Sequence, residues 1–171
     1  MKNKAKKHSK KHSKKGFSLI ELLIVVAIIL IIAAIAIPNL LRSRIAANEA
    51  SAVGSLRTIN TAEITYNTTY GAQVGFGPLN VLGPLPAGTT VPTSATAGLL
   101  DSTLASGSKS GYSFQVTPGG TNNATYESAA APLVTGSTGQ RYFCSDASGV
   151  IQFNLTQATG TTCAVAANTP I

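Results

Sequence analysis

Charge is scarce in this sequence. Asp, Glu, Lys and Arg make up 11% of its 171 residues, well below the usual quarter. The acids number six, and both histidines, His8 and His12, fall within the first sixteen residues. A chain that lost that stretch would hold no histidine, which excludes a Ser–His or Cys–His nucleophilic mechanism. No other nucleophile constellation appears, so no enzymatic activity and no cofactor are expected. Cysteine is limited to Cys144 and Cys163, 19 positions apart. No His, Asp or Cys cluster lies beside them, which argues against a metal site. In a domain outside the cytoplasm a disulfide is the natural reading, with two buried free thiols as the alternative. Such a bridge would contribute on the order of 3 kcal/mol in the chain-entropy model. Acids in the second half are only Asp101, Glu127 and Asp146, too sparse for a calcium loop. Aromatics are missing between Phe17 and Tyr66, which gives little support to electron transport through stacked rings.

What charge there is lies unevenly. The formal net charge is +7, yet residues 1–16 hold eight lysines and no acid. The remainder carries Lys109, Arg42, Arg44, Arg57 and Arg141 against six acids, a side-chain balance of −1. Without its leader the chain is nearly neutral and has no basic face for nucleic acid. The leader repeats Lys-Lys-His-Ser at 6–9 and 10–13. It is of low complexity and has no apolar face with which to fold. The spacing of His8 and His12 would suit a metal on a helix, but a solvated basic segment explains both residues. Positive charge ahead of an apolar segment holds that end in the cytoplasm.

A single glycine, Gly16, ends the leader, and Phe17 opens about twenty residues of hydrocarbon interrupted only by Ser18 and Glu21. An ordinary secretory signal would place an Ala-x-Ala-like site after the apolar region. Leu40-Leu41-Arg42-Ser43-Arg44 stands there instead. The expected cut is therefore before the apolar run, at Gly16–Phe17, where glycine admits a protease close to the backbone. Such a cut removes the lysines and leaves the hydrophobic segment on the mature chain. Residues 17–37 would span about 31 Å as a helix, enough to cross a bilayer. A charged group near the centre of a bilayer costs about 2.5–3.5 kcal/mol on insertion scales, so Glu21 is a functional candidate by default.

Pro38 predicts a kink or local melting. Helical periodicity then resumes, with Leu41, Ile45, Val53, Leu56, Ile59 and Ile64 as the apolar stripe. Arg42, Arg44, Asn48, Glu49, Arg57 and Glu63 mostly fall off it. Asn67 to Gly71 ends the pattern, with Gly71 as C-cap. If continuous, this helix runs about 50 residues and 75 Å. Its second half needs a globular head to pack on. Its first half has no partner within the chain and needs lipid or further copies of itself.

The stretch Gly16-Phe17-Ser18-Leu19-Ile20-Glu21 with its apolar run and Pro38 resembles the N-terminal signature of type IV pilins and type II secretion pseudopilins. The resemblance is specific from Lys15 to about Tyr70 and general beyond. It implies cleavage after Gly16 by a prepilin peptidase that also N-methylates Phe17. Glu21 would pair with the N-terminal amine of a neighbouring subunit and set axial register; a glutamate reaching out to lipid headgroups is the alternative. The resemblance further implies an inner-membrane single-pass precursor, then an extracellular filament built from further pilin subunits by the assembly machinery. The expected fold is α+β: a long N-terminal helix, transmembrane and then amphipathic, packed on a small antiparallel sheet. In this scheme residues 1–16 are the leader, 17–37 the transmembrane and assembly helix, and 38–70 the amphipathic helix. Residues 71–111 are a variable loop and 112–171 the sheet with a segment bounded by Cys144 and Cys163.

Within the loop, Gly77-Pro78, Gly83-Pro84 and Leu85-Pro86 mark turns, and Leu99 to Leu104 forms a short helix or turn. Strands are expected at Tyr112–Val116, Ala124–Ser128, Arg141–Ser145 and Val150–Asn154, with a turn at Pro118-Gly119-Gly120. Phe114, Tyr142, Ile151 and Phe153 are the candidate core. A pilus subunit serving adhesion, motility or DNA uptake is the leading reading. A pseudopilin of type II secretion is the nearest rival, and a membrane-anchored binding protein that never assembles is the rival of another class.

Overall fold

A computed structural model describes residues 16–155 and 169–171. The chain divides into two compact units, Met1–Asn39 and Leu40–Ile171. Helix α1, Leu19–Val74, is 56 residues long and supplies all of the described part of the first unit except residues 16–18 before entering the second. In the first unit its side chains face outward all round. The large apolar ones from Leu19 to Ile37 are 45–80% exposed, and the richest 18-residue window has a mean hydropathy of 3.3. The helix is therefore long and apolar enough to cross a membrane. Pro38 stands inside it, so the local melting expected there does not occur. Proline removes one hydrogen bond, and the leucine, isoleucine and alanine turns on either side propagate well without it.

In the second unit α1 gains a buried face. Ile45, Glu49, Ala52, Leu56, Ile59, Glu63 and Tyr66 are buried at the three- and four-residue intervals of one helical stripe. The expected stripe is thus partly wrong. Leu41 is 43% and Ile64 53% exposed, while Glu49 and Glu63 are inside. Both carboxylates have hydrogen-bond partners there, and this is the condition under which a polar group displaces an apolar one from a core. The helix also ends later than its composition suggested. Gly71 is still helical, and the left-handed residue is Gly75, at φ 69°. Gly71 would also tolerate a left-handed turn, but the turn falls at Gly75, where Asn123 donates to the Val74 carbonyl at 3.1 Å and accepts the Phe76 N–H at 2.9 Å.

The segment after the helix folds back on itself. Ala97 and Leu100 donate backbone N–H groups to Val81 and Leu82 carbonyls at 2.8 Å, and Leu82 is fully buried. Helix α2, Ser102–Ala105, follows, capped by Asp101, whose Oδ1 accepts from the Leu104 N–H at 2.7 Å. The anticipated short helix is present, and the region also carries strand β1, Ser108–Lys109.

Strands β2 (Tyr112–Gly119), β3 (Thr125–Pro132), β4 (Tyr142–Asp146), β5 (Ile151–Asn154) and β6 (Thr169–Pro170) complete an antiparallel meander in which spatial order equals chain order. The α+β expectation holds. β2 runs through Pro118 and Gly119, which pair with Tyr126 and Thr125, rather than turning there. The turn falls at Gly120, Asn122 and Asn123, all at positive φ, which glycine and asparagine tolerate. Burial alternates along β2, β3 and β4, as the two-residue period of a strand facing a helix requires. Tyr112, Phe114 and Val116 on β2, Tyr126 and Ala130 on β3, and Phe143 on β4 point into the core. Phe114 and Ile151 are core residues as expected, and Phe153 packs at its margin. Tyr142 is not: it lies one residue out of phase with Phe143, and its hydroxyl meets Thr135 Oγ1 at 2.7 Å.

Candidate functional site

Gly16, Phe17 and Ser18 precede the helix and are exposed, Phe17 at 79%. Ser18 is the residue before α1, and Glu21 is the third residue within it. The Ser18 backbone N–H donates to Glu21 Oε2 at 3.0 Å, and the Leu22 N–H donates to the Ser18 carbonyl at 3.3 Å. This is the carboxylate half of a capping box: the side chain returns to satisfy an orphan donor at the helix start. The negative charge also lies at the positive end of the helix dipole. The Ser18-x-x-Glu21 spacing signals this cap, a role that weighing Glu21 against lipid alone passes over. In this single chain the carboxylate is exposed and its neighbours are apolar.

Three polar pins tie α1 to the rest of the second unit. The first is Glu49, whose Oε1 accepts the backbone N–H groups of Gln140 and Arg141 at 2.9 and 3.2 Å. Its Oε2 meets Arg141 Nη2 at 2.7 Å and Nε at 2.8 Å. Arg141 in turn lies over the rings of Phe143 and Phe153, 5.4 and 5.2 Å from their centroids. Asn48, one residue earlier, donates to the Thr138 carbonyl at 2.8 Å. The second pin is Asn60, which donates to Ser145 Oγ at 2.8 Å while its Oδ1 accepts from Ser128 Oγ at 3.2 Å. All three residues are buried, so the network spans helix, β3 and β4.

The third pin is Glu63, fully buried. Its Oε2 accepts the Gly77 N–H at 3.1 Å, whereas Oε1 has no partner among the described residues. Burial pushes this carboxyl up to about 7 against the opposing pull of the Gly77 N–H. The Tyr126 hydroxyl is also buried without a partner, and desolvation with the Glu63 charge nearby pushes it up to about 12. Tyr66 is raised for the same reasons. The pins were legible only as isolated polar residues in a helical pattern, because their partners lie 14 to 92 positions away.

Gly16, Phe17 and Glu21 therefore lie together at the start of α1, and Pro38 stands on the same helix nearly twenty residues on. Cys144 lies half-buried on β4, aligned between Ala129 and Gln152. Cys163 lies outside the described residues, and so does any pairing between the two. An open groove of about 270 Å³ runs between Arg42 and Ile45 of α1 and Leu155 after β5.

Comparison with known proteins bears on the same segment. A family profile described as a prokaryotic N-terminal methylation motif matches residues 11–37. The type IV major pilin protein PilA of Myxococcus xanthus (strain DK1622) is 39% identical over 69 residues, covering 37% of this chain and 31% of that protein. The chain thus spans about a third of the length of the curated relative it matches. No solved structure matches. The motif and the likeness to a major pilin support a type IV pilin precursor.

Proposed function

We propose that this chain is the precursor of a type IV pilus subunit. In this reading it is cut between Gly16 and Phe17, N-methylated at Phe17 by the same prepilin peptidase, and held in the inner membrane by residues 17–37. Release into a filament buries that surface against other copies, so one apolar segment serves storage and assembly in turn. The observation that carries the reading is a methylation motif over residues 11–37 whose apolar part, from Leu19 to Ile37, lies on a helix with its side chains exposed on every side. Hydrocarbon this extensive needs lipid or protein around it, and a cut ahead of it keeps it on the mature chain.

Glu21 then has a second role after capping. In the filament its carboxylate pairs with the N-terminal amine of a neighbouring subunit, and the best-attested use of such a buried pair is register rather than net stability. Pro38 bends the helix, and Cys144 bonds Cys163 to tie the C-terminal segment to β4. The partners are the peptidase, the assembly machinery and further copies of the chain, which ends in an extracellular pilus.

Intact mass and N-terminal sequencing of the protein from its native envelope test the reading. The expected species begins at N-methylated Phe17 and is two hydrogens lighter than the dithiol form. A chain that still begins at Met1 sinks it and leaves a simple membrane anchor.

A further inference from the structure

The turn that closes the C-terminal end of α1 is fastened to a buried carboxylate. The Gly77 N–H, three residues past the helix, donates to Glu63 Oε2 at 3.1 Å, while Glu63 Oε1 has no partner among the described residues. The fit is close: a Cβ on Gly77 would come within 2.6 Å of the Val81 side chain and 3.0 Å of the Tyr66 ring. Phe76 donates its N–H to the Asn123 carbonyl at 2.9 Å and sets its ring 4.7 Å from that of Tyr126. The fastening is also local. Beyond it, the carbonyls of Val81, Leu82 and Gly83 accept from the N–H groups of residues 97–100, and Leu79 and Leu82 are buried. Between those anchors and the end of the helix, Gly75 to Pro78 can move without unpacking a fully buried side chain. Gly75 lies at φ 69°, Phe76 is half-buried and Pro78 is exposed.

Among the described residues nothing packed around Glu63 offsets its charge. Two titratable groups face it, Tyr66 on its own helix and Tyr126 on β3, and neither is a cation. β4 adds Asp146, whose charge acts on Tyr126. Residues 75–100 add none: they include no acid, base, tyrosine or cysteine. One backbone N–H is thus the only group that favours the ionised form. Burying an unpaired charge costs far more than one such bond returns, so the neutral carboxyl is the form that fits the closed turn.

We propose that Glu63 is a proton-operated latch on this turn: with its carboxyl protonated, residues 75–78 lie closed on α1, and with it ionised they lift away and water reaches the carboxylate. Opening returns Glu63 to an ordinary carboxyl, and the direction follows from linkage. Below pH 4.5 the group is neutral whether the turn is open or closed, so opening ignores pH. Between 4.5 and about 7 opening releases a proton and gains about tenfold per pH unit. Above that it levels off. Tyr66 and Tyr126 are raised away from this range. The turn is thus firm in acid and loose at neutral pH, and its release uncovers the Phe76 ring together with a negative charge. The latch belongs to the second unit alone and holds whether or not the chain assembles.

Amide hydrogen exchange of the full chain in detergent micelles, followed residue by residue by NMR from pH 4 to 8, tests the latch. Rates are corrected for the intrinsic pH dependence of exchange to give opening constants. At Phe76 and Gly77 the constant should rise about tenfold per pH unit up to about pH 7. Low urea should leave it unchanged, as a local opening requires. Phe114 on β2, whose N–H donates to the Gly107 carbonyl at 2.7 Å, should open far less and respond to urea. The side-chain carboxyl carbon of Glu63 should titrate at the pH where the rise stops. In Glu63→Gln, which keeps an acceptor for Gly77, the constants at 76 and 77 should not change with pH.

Opening constants at 76 and 77 that stay level across this range overturn the latch. So does a rise there that matches Phe114 in size and in urea response, since the turn then opens only with the whole head. A carboxyl carbon that titrates near 4.5 overturns it without any variant, which decides the question should Glu63→Gln fail to fold. A pH-dependent opening that persists in folded Glu63→Gln assigns the switch to another group and removes Glu63 from it.

Discussion

Two carboxylates on one helix show how position decides what a glutamate does. Glu21 is exposed at the start of α1 and caps it; Glu63 is sealed inside the head with one donor for two oxygens. For Glu63 the folded state holds its proton more tightly than the unfolded chain, with the carboxyl near 7 instead of 4.5. Between those values the folded protein binds more protons, so stability is full below pH 4.5 and falls as pH rises to about 7. The loss is on the order of 3 kcal/mol. Glu63→Gln keeps an acceptor for Gly77 and cannot ionise. Denaturant melts from pH 4 to 8 should show the wild type weakening through this window and the variant nearly flat; an equal slope in both would remove Glu63 as the cause. The groups facing it, Tyr66 and Tyr126, are both raised further away from this range by burial and the Glu63 charge.

Glu21 calls for a substitution that separates its two roles. Glu21→Gln keeps a side-chain oxygen for the Ser18 N–H, so the helix start loses at most about 1 kcal/mol. It removes the charge. If the proposed pairing with a neighbour's amine sets register, this variant stays in the membrane fraction at normal amounts and forms no filaments by electron microscopy. Ordinary filaments from Glu21→Gln would mean that capping is the residue's whole contribution.

At the scale of elements, α1 is one helix serving two environments, and its two ends are built differently. The N-terminal end is held by a side chain. The C-terminal end is held by packing, because a Cβ on Gly75 would meet the backbone oxygens of Asn122 and Asn123 at φ 69°. Asn123 also donates to the Val74 carbonyl at 3.1 Å, and the Phe76 N–H donates to the Asn123 carbonyl at 2.9 Å. Gly75→Ala should therefore cost about 1–3 kcal/mol of head stability, read as a lower denaturation midpoint at unchanged slope. A change within a few tenths would mean the turn relaxes freely. Pro38→Ala acts at the same scale in the opposite sense. Restoring the missing N–H should raise resistance to amide exchange around Ala34 and Pro38 and, in the proposed filament, alter bending while leaving the head's melting unchanged. A shifted head transition would show that the two units are energetically linked.

For the molecule as a whole, the N-terminal half was readable and the head only in outline. The apolar run, its carboxylate and Pro38 are local patterns, and local patterns are what a sequence displays. Strands β2 to β5 were also visible as alternating segments, yet their phase was not: Phe143 rather than Tyr142 turns inward because register is set by β3 and β5. The same holds for Glu49. Its burial follows from Arg141 and two backbone N–H groups beyond position 139, and nothing near residue 49 announces them. Tyr112 and Tyr126 belong to the core for a similar reason. The Tyr112 hydroxyl reaches the Arg141 carbonyl at 2.8 Å, while that of Tyr126 has no partner among the described residues.

Among the described residues the sheet begins on one side with a strand of two residues, β1, and proline stands in both β2 and β6. A long bare edge invites a neighbouring sheet to add strands to it, and crowding makes that worse. Proline offers no N–H to such a neighbour, and a two-residue strand offers almost no template. That side of the sheet is thus poorly suited to amyloid-like growth, which matters for a chain that would be crowded among its copies in the filament proposed above. If the chain polymerises as proposed, the task falls to the helix, whose greasy contacts could slide apart again, whereas a shared sheet would be hard to undo.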